Sequence, residues 1–150
     1  MDDLRSEGYE AFYIAIGAQG SRKLNIPGED NDMVESGIDF LRKVNKTEDP
    51  NLISGDVVVV GGGNVAIDVA RAALRSGAEK VHLYSLEQEA EMPASFEEVS
   101  EAKEEGIILH CGWGPKEILE DSIVFKQCVN VKDETARFNP SYDENVLETI

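Results

Sequence analysis

The sequence predicts an α/β fold, a central parallel sheet in a three-layer arrangement followed by a small antiparallel β-meander, and three observations carry that prediction. An apolar run, Val57-Val58-Val59-Val60, opens through Gly61-Gly62-Gly63 into residues with helical spacing. Two further strand-like runs, 81–85 and 107–111, are separated by a second helical stretch, the alternation that builds a parallel sheet. Beyond the turn Gly112-Trp113-Gly114-Pro115 the helical period is gone, and strand-like runs remain at 117–119, 123–131 and 146–150.

Taken in order, Tyr9-Glu10-Ala11-Phe12-Tyr13-Ile14-Ala15-Ile16 is apolar except at Glu10 and predicts a buried strand that stops at Gly17. A loop over 18–32 follows, containing Ile26-Pro27-Gly28-Glu29-Asp30. Val34, Ile38, Leu41 and Val44 stand close to helical spacing, so 34–44 is a short amphipathic helix with Asn31 or Asp32 placed to cap it. Polar residues 45–54, with Pro50, connect it to the first sheet strand. The helix over 64–75 carries Val65, Val69 and Ala73 toward the sheet, and Gly77 ends it. On that helix Asp68 and Arg71 have the i,i+3 spacing of a salt bridge. Ser95 and Glu98 have capping-box spacing with Pro93 upstream, predicting a helix over 95–105 closed by Gly106, with Phe96, Val99 and Ala102 as a narrow buried stripe. The polar stretch 132–145 is either a mobile loop or an extended hairpin.

The glycines after the first strand match GxGxxA, and each fixed position has a physical reason. Gly61 permits the tight turn, Gly63 lets backbone approach a pyrophosphate, and Ala66 lets helix and strand pack closely. The helix behind them points unpaired N–H groups and its positive dipole end at the anion. A Rossmann-like dinucleotide site is therefore expected at Gly61, Gly62, Gly63, Asn64, Val65 and Ala66, with the Asn64 side chain placed to cap or to touch phosphate.

Thirty acidic residues against fourteen basic give a formal charge of -16, which repels nucleic-acid backbones and anionic lipid. A dinucleotide must then be held by local donors. The acidic run 87–105 reads as a solvated helix face, with an electrostatic docking face for a basic electron-transfer partner as the alternative. No apolar run approaches a membrane span and no signal-peptide pattern opens the chain, so a cytoplasmic location is the default expectation. Cys111 and Cys128 are isolated and expected as reduced, buried thiols, and His82 and His110 as structural residues. No nucleophile–base constellation and no metal-ligand spacing is present, so neither a catalytic residue nor a metal is assigned.

Four ordered motifs extend the argument: residues 8–18, Gly-Tyr-Glu-Ala-Phe-Tyr-Ile-Ala-Ile-Gly-Ala; Ile26-Pro27-Gly28-Glu29-Asp30; Gly61-Gly62-Gly63-Asn64-Val65-Ala66-Ile67-Asp68-Val69-Ala70-Arg71; and Glu91-Met92-Pro93-Ala94. Together they resemble the NAD(P)-binding domain of the glutamate synthase small (beta) subunit family, FAD-dependent flavoproteins related to the pyridine nucleotide-disulfide oxidoreductases. The resemblance covers nearly the whole chain. In that family the NAD(P) domain is inserted into an FAD domain, which implies that 1–33 are strand and linker from the neighbouring FAD domain and 34–150 the NAD(P) domain. It further implies a flavin fingerprint ahead of Met1 and a closing flavin segment after Ile150, so that FAD belongs to the parent protein and is not expected in this piece.

What the resemblance implies for function is an oxidoreductase module that positions nicotinamide for hydride transfer to or from FAD. Electrons would continue to an iron–sulfur domain or another electron-acceptor protein. A non-catalytic dinucleotide-binding or redox-sensing module is the alternative. One departure stands out. Where NADPH-using members look like Tyr-Arg-Arg, this chain has Ser85-Leu86-Glu87. Ser85, Leu86 and Glu87 are the cofactor contacts expected there: Glu87 repels a 2′-phosphate, and Glu87 or Ser85 receives the adenosine ribose, so NAD(H) is expected over NADP(H), with Lys80 or Arg75 as the fallback contacts for a phosphate.

Overall fold

A computed structural model of the chain describes residues 2–15, 17, 20–47 and 49–150. A short helix, α1 (Asp2–Ser6), opens it, and α2 (Gly37–Val44) follows after a long irregular stretch. Then come β1 (Asp56–Val60), α3 (Asn64–Arg75), β2 (Lys80–Ser85), a 3-10 turn (Glu89–Glu91), α4 (Phe96–Glu104) and β3 (Ile108–Cys111). The remainder is β4 (Trp113–Ile118), β5 (Ile123–Lys132) and β6 (Phe138–Thr149). Strands β1, β2 and β3 form a parallel sheet in that order, and β4, β5 and β6 an antiparallel one. This is the expected α/β arrangement with its meander. Among the described residues, no helix is long and apolar enough to cross a membrane.

Alternation along the parallel strands creates two cores. Val57, Val59, Val81 and Leu83 meet α2, α3 and α4, while Val58, Val60 and Tyr84 meet the antiparallel sheet. Helices, parallel sheet and meander are thus three layers. On α3 the buried side chains are Ile67, Val69, Ala70 and Ala73. Val65, expected to face inward, is 54% exposed. The small residues Ala70 and Ala73 let the helix lie close to the sheet, and full burial of Ile67 and Leu83 contributes about 1.5–3 kcal/mol each. Val69 faces α2 instead, where a Cβ on Gly37 would stand 2.9 Å from Val69 Cγ2.

Several boundaries differ from expectation for local reasons. Helix α2 begins at Gly37 because Ser36 Oγ accepts the Asp39 N–H at 3.2 Å and donates to Asp39 Oδ2 at 2.7 Å. Asn31 instead accepts the Met33 N–H within its own turn. Ser95 caps α4 as expected, but only Val99 and Ala102 of its stripe are buried, and Phe96 is 81% exposed in the first turn. The stretch 132–145 is an extended hairpin. Asp133 Oδ1 accepts N–H groups from Thr135 and Arg137, and Ala136 takes a left-handed φ of 61°.

No strand forms over the described residues 9–15, where Tyr13 is 95% and Ile14 69% exposed. Ile16 and Ala18 of that motif lie outside the described residues. An apolar pattern becomes a strand only against a partner that completes its backbone hydrogen bonds, and none of the described strands pairs with it. The Pro27 region, by contrast, is tied to the meander: the Ile118 N–H donates to Pro27 O at 2.9 Å, and Gly28, at φ 81°, leaves no room for a Cβ against Ile118 O.

The two sheets are joined by a polar chain. His82 Nδ1 and His110 Nε2 are 3.0 Å apart, His110 Nδ1 lies 3.2 Å from Glu148 Oε1, and the Tyr84 hydroxyl donates to that same oxygen at 2.6 Å. Beneath it Tyr84 stacks on Phe125 with ring centroids 3.7 Å apart. Burial first and the neighbouring His110 second push His82 below its ordinary 6.5, and Asp56 and Glu148 pull the other way without reversing the shift. The folded chain therefore binds the His82 proton less tightly than the unfolded chain. This contribution to stability is present above 6.5 and declines as pH falls below it. The urea midpoint is expected to drop between about pH 7.5 and about pH 5.5, and to drop less in His82→Gln. An equal drop in both proteins would show that His82 is not the group responsible.

Candidate functional site

Strand β1 delivers the chain into the glycine turn at the C-terminal edge of the parallel sheet, where the Gly61 N–H donates to Tyr84 O at 2.8 Å. Gly61 takes a φ of 146°, a region that L side chains rarely adopt, and a Cβ there would stand 3.1 Å from Ala66 Cβ. Gly61 and Ala66 are therefore matched in size across the turn. Gly63 is the N-cap of α3 at φ -95°, ψ 171°, and no side chain among the described residues caps that helix. Its carbonyl accepts from Ala66 and Ile67, which leaves the Asn64 and Val65 N–H groups as the unpaired donors of the first turn of α3. A Cβ on Gly63 would meet nothing within 4 Å. Val65 is exposed on that same first turn. A helix dipole, uncapped N–H groups and open space suit a phosphate anion in a chain whose overall charge is -16.

The next wall is the end of β2. Glu87 turns its carboxylate over the glycines: Oε2 lies 2.7 Å from where a Gly62 Cβ would be, with Ser85 Cβ at 3.2 Å and Pro93 Cδ at 3.4 Å. Gly62 is needed so that these three segments can meet. Ser85 is 1% exposed and its hydroxyl donates to Glu87 O at 2.9 Å, so its proton is used in shaping the β2 exit. Gly112 N–H donates to the same carbonyl at 3.0 Å, fixing the β2 and β3 exits together. Leu86 packs toward Gly114, with Cδ2 2.9 Å from where a Cβ would sit. Burial, and Glu87 after it, hold the Cys128 thiol above its ordinary range; both cysteines are free thiols, but only Cys128 is buried as expected, Cys111 being partly exposed.

Asn64 is engaged across the turn. Its Oδ1 accepts the Ser95 N–H at 2.8 Å, and beside it the Ala94 N–H donates to Gly62 O at 3.0 Å. The segment 92–95 thus borders the glycine turn, a contact that GxGxxA does not signal. The capping pair Ser95 and Glu98, directly after Pro93, is the local pattern that could have pointed to a fixed chain position there.

Asp68 and Arg71 do not pair with each other. Arg71 turns to α4 and its C-cap, reaching Glu98 at 3.2 Å, Glu101 at 2.8 Å and Glu105 at 2.7 Å, because three carboxylates on the facing segment outweigh one exposed aspartate on its own helix. Arg71 first, and Arg75 as well, hold the Glu105 carboxyl below the usual range. An open cleft of about 610 Å³ between α2 and α3, bordered by Leu41, Val44, Arg71 and Arg75, contains no residue of the glycine turn. Among the described residues, no group of His, Cys, Asp or Glu could hold a metal ion.

The sequence matches the family described as pyridine nucleotide-disulphide oxidoreductase over residues 2–141. It is 40% identical over 148 residues to the NADP(+)-dependent formate dehydrogenase subunit beta of Moorella thermoacetica, covering 93% of this chain and 21% of that protein. The glutamate synthase [NADPH] small chain of Escherichia coli is 35% identical over 117 residues, covering 71% of this chain and 25% of that one. The chain therefore spans about a quarter or less of these relatives. Among solved structures, Mycobacterium tuberculosis FprA in complex with NADPH shares the fold, with a TM-score of 0.77 at 22% identity over 99% of this chain and 49% of that one.

Proposed function

Because this chain belongs to the pyridine nucleotide-disulphide oxidoreductase family, we propose that it is the NAD(P)H-binding part of a glutamate synthase small subunit-like flavoprotein, positioning nicotinamide next to a flavin carried by a neighbouring FAD domain. The uncapped start of α3 behind Gly63 is the observation that carries this reading. Gly61, Gly62, Gly63, Val65 and Ala66 form the pyrophosphate turn, and Glu87 stands where the adenosine ribose would lie. The flavin supplies the hydride-accepting ring, and the protein supplies placement. Residues 1–33 serve as strand and linker of the FAD domain in this proposal, and 34–150 as the nucleotide domain. An iron–sulfur domain or a separate electron-acceptor protein is the onward partner.

The names of the relatives carry NADP(H), and on that ground NADPH is the cofactor of those proteins. For this chain we place NADH first. A carboxylate over Gly62 would meet the 2′-phosphate of NADPH with like charge, and would accept from the two ribose hydroxyls of NADH. Fluorescence titration of the purified chain with NADH and NADPH tests both levels. Saturable binding is expected, with no flavin absorbance and negligible NADH oxidation by artificial acceptors. A stoichiometric flavin band, or rapid turnover without added flavin, would overturn the assignment of the glycine turn to the nicotinamide nucleotide.

A further inference from the structure

Asn64 holds the first position of a helix whose free N–H groups face the proposed anion, yet its side chain reaches 31 residues along the chain to Ser95. Ser95 is itself the N-cap of α4, accepting the Glu98 N–H at 3.3 Å through Oγ. The side-chain carbonyl of Asn64 thus ties the start of α3 to the start of α4. The neighbouring Ala94 N–H to Gly62 O bond runs parallel to it, and Arg71 fixes the same two helices further along. A side chain used in this way satisfies no N–H of α3. It leaves those donors for a ligand while removing the freedom of the turn that presents them.

We propose that Asn64 is a positioning residue, whose Oδ1 to Ser95 N–H bond sets the glycine turn for pyrophosphate without contacting it. The proposal rests on the dinucleotide reading above. It assigns the Asn64 requirement to acceptor chemistry alone, so an aspartate should serve in the strap, whereas a phosphate ligand acting through Nδ2 could not be replaced by one.

The test uses Asn64→Ala and Asn64→Asp in the full chain, with NADH titrations at low and high salt and amide exchange read at Ser95. Asn64→Ala is expected to expose the Ser95 amide and to weaken NADH by about three- to tenfold at both salt levels, the size of one neutral hydrogen bond. Asn64→Asp is expected to keep Ser95 protected, to bind weakly at low salt because of its charge, and to recover wild-type affinity at high salt. Wild-type affinity in a folded Asn64→Ala protein overturns the proposal. So does an Asp variant that keeps Ser95 protected but remains as weak as Ala at high salt, since that result makes Nδ2 a direct ligand. Failure of the wild-type chain to bind either dinucleotide overturns the parent reading and this one with it, and is told apart by the wild-type titration alone.

Discussion

Gly63→Val is expected to abolish dinucleotide binding, a loss of about a hundredfold or more, in a chain that still folds. The separation of the two effects comes from the local geometry. At φ -95° and ψ 171° the Gly63 backbone is in an extended region open to any L residue, and a new Cβ meets no atom within 4 Å. Valine at an N-cap costs on the order of 1 kcal/mol. In the proposed site the same volume is where backbone approaches the pyrophosphate, and a branched side chain fills it. Gly61 and Gly62 would be poorer choices for this experiment. Gly61 needs its φ of 146°, and a Cβ on Gly62 displaces Glu87, so a loss of binding there would mix folding with recognition. Calorimetric titration with NADH, together with thermal melts, decides the matter. Unchanged affinity in folded Gly63→Val would move the ligand away from this turn.

The double change Leu86→Arg with Glu87→Arg is expected to reverse cofactor preference from NADH to NADPH. Removing Glu87 takes a carboxylate from above Gly62, and the arginines supply charge-assisted contacts of about 1.5–3 kcal/mol each to a 2′-phosphate, a tenfold shift or more. The shift should shrink with added salt, since Leu86 and Glu87 are only half-buried. A wild-type protein that already prefers NADPH would sink the Glu87 assignment. The fallback contacts are then closed as well. Lys80 pairs in register with Asp56 at the opposite end of β2 from the glycine turn, and Arg75 ends α3 bound to Glu105.

What the residues disclosed in advance was what depends on near neighbours. The valine run, the glycine turn, the Ser95 cap and the span of α3 are set within a few positions of chain, and the structure has all of them, although the inward face of α3 is carried by Ile67 and Ala70 and not by Val65. The errors lie where a side chain chose among distant partners. Arg71 was within reach of Asp68 on its own helix and instead took three glutamates, two on α4 and one at its C-cap. Asn64 was placed to cap its own helix and went to Ser95, 31 residues along the chain. Residues 9–15 fail for the complementary reason. Their pattern suits a strand, but the partner that would make it one is not among the described strands.

Trp113, the single tryptophan of the chain, sits on β4 packed against the Tyr84 and Phe125 core, and not against the helices. Its emission therefore reports one of the two cores, the one between the sheets. Far-ultraviolet circular dichroism is weighted instead to α2, α3 and α4 on the other face. The chain thus carries a built-in pair of optical probes divided by the parallel sheet. Coincidence of their unfolding curves measures, without any label, whether the meander and the helical layer melt as a single cooperative unit.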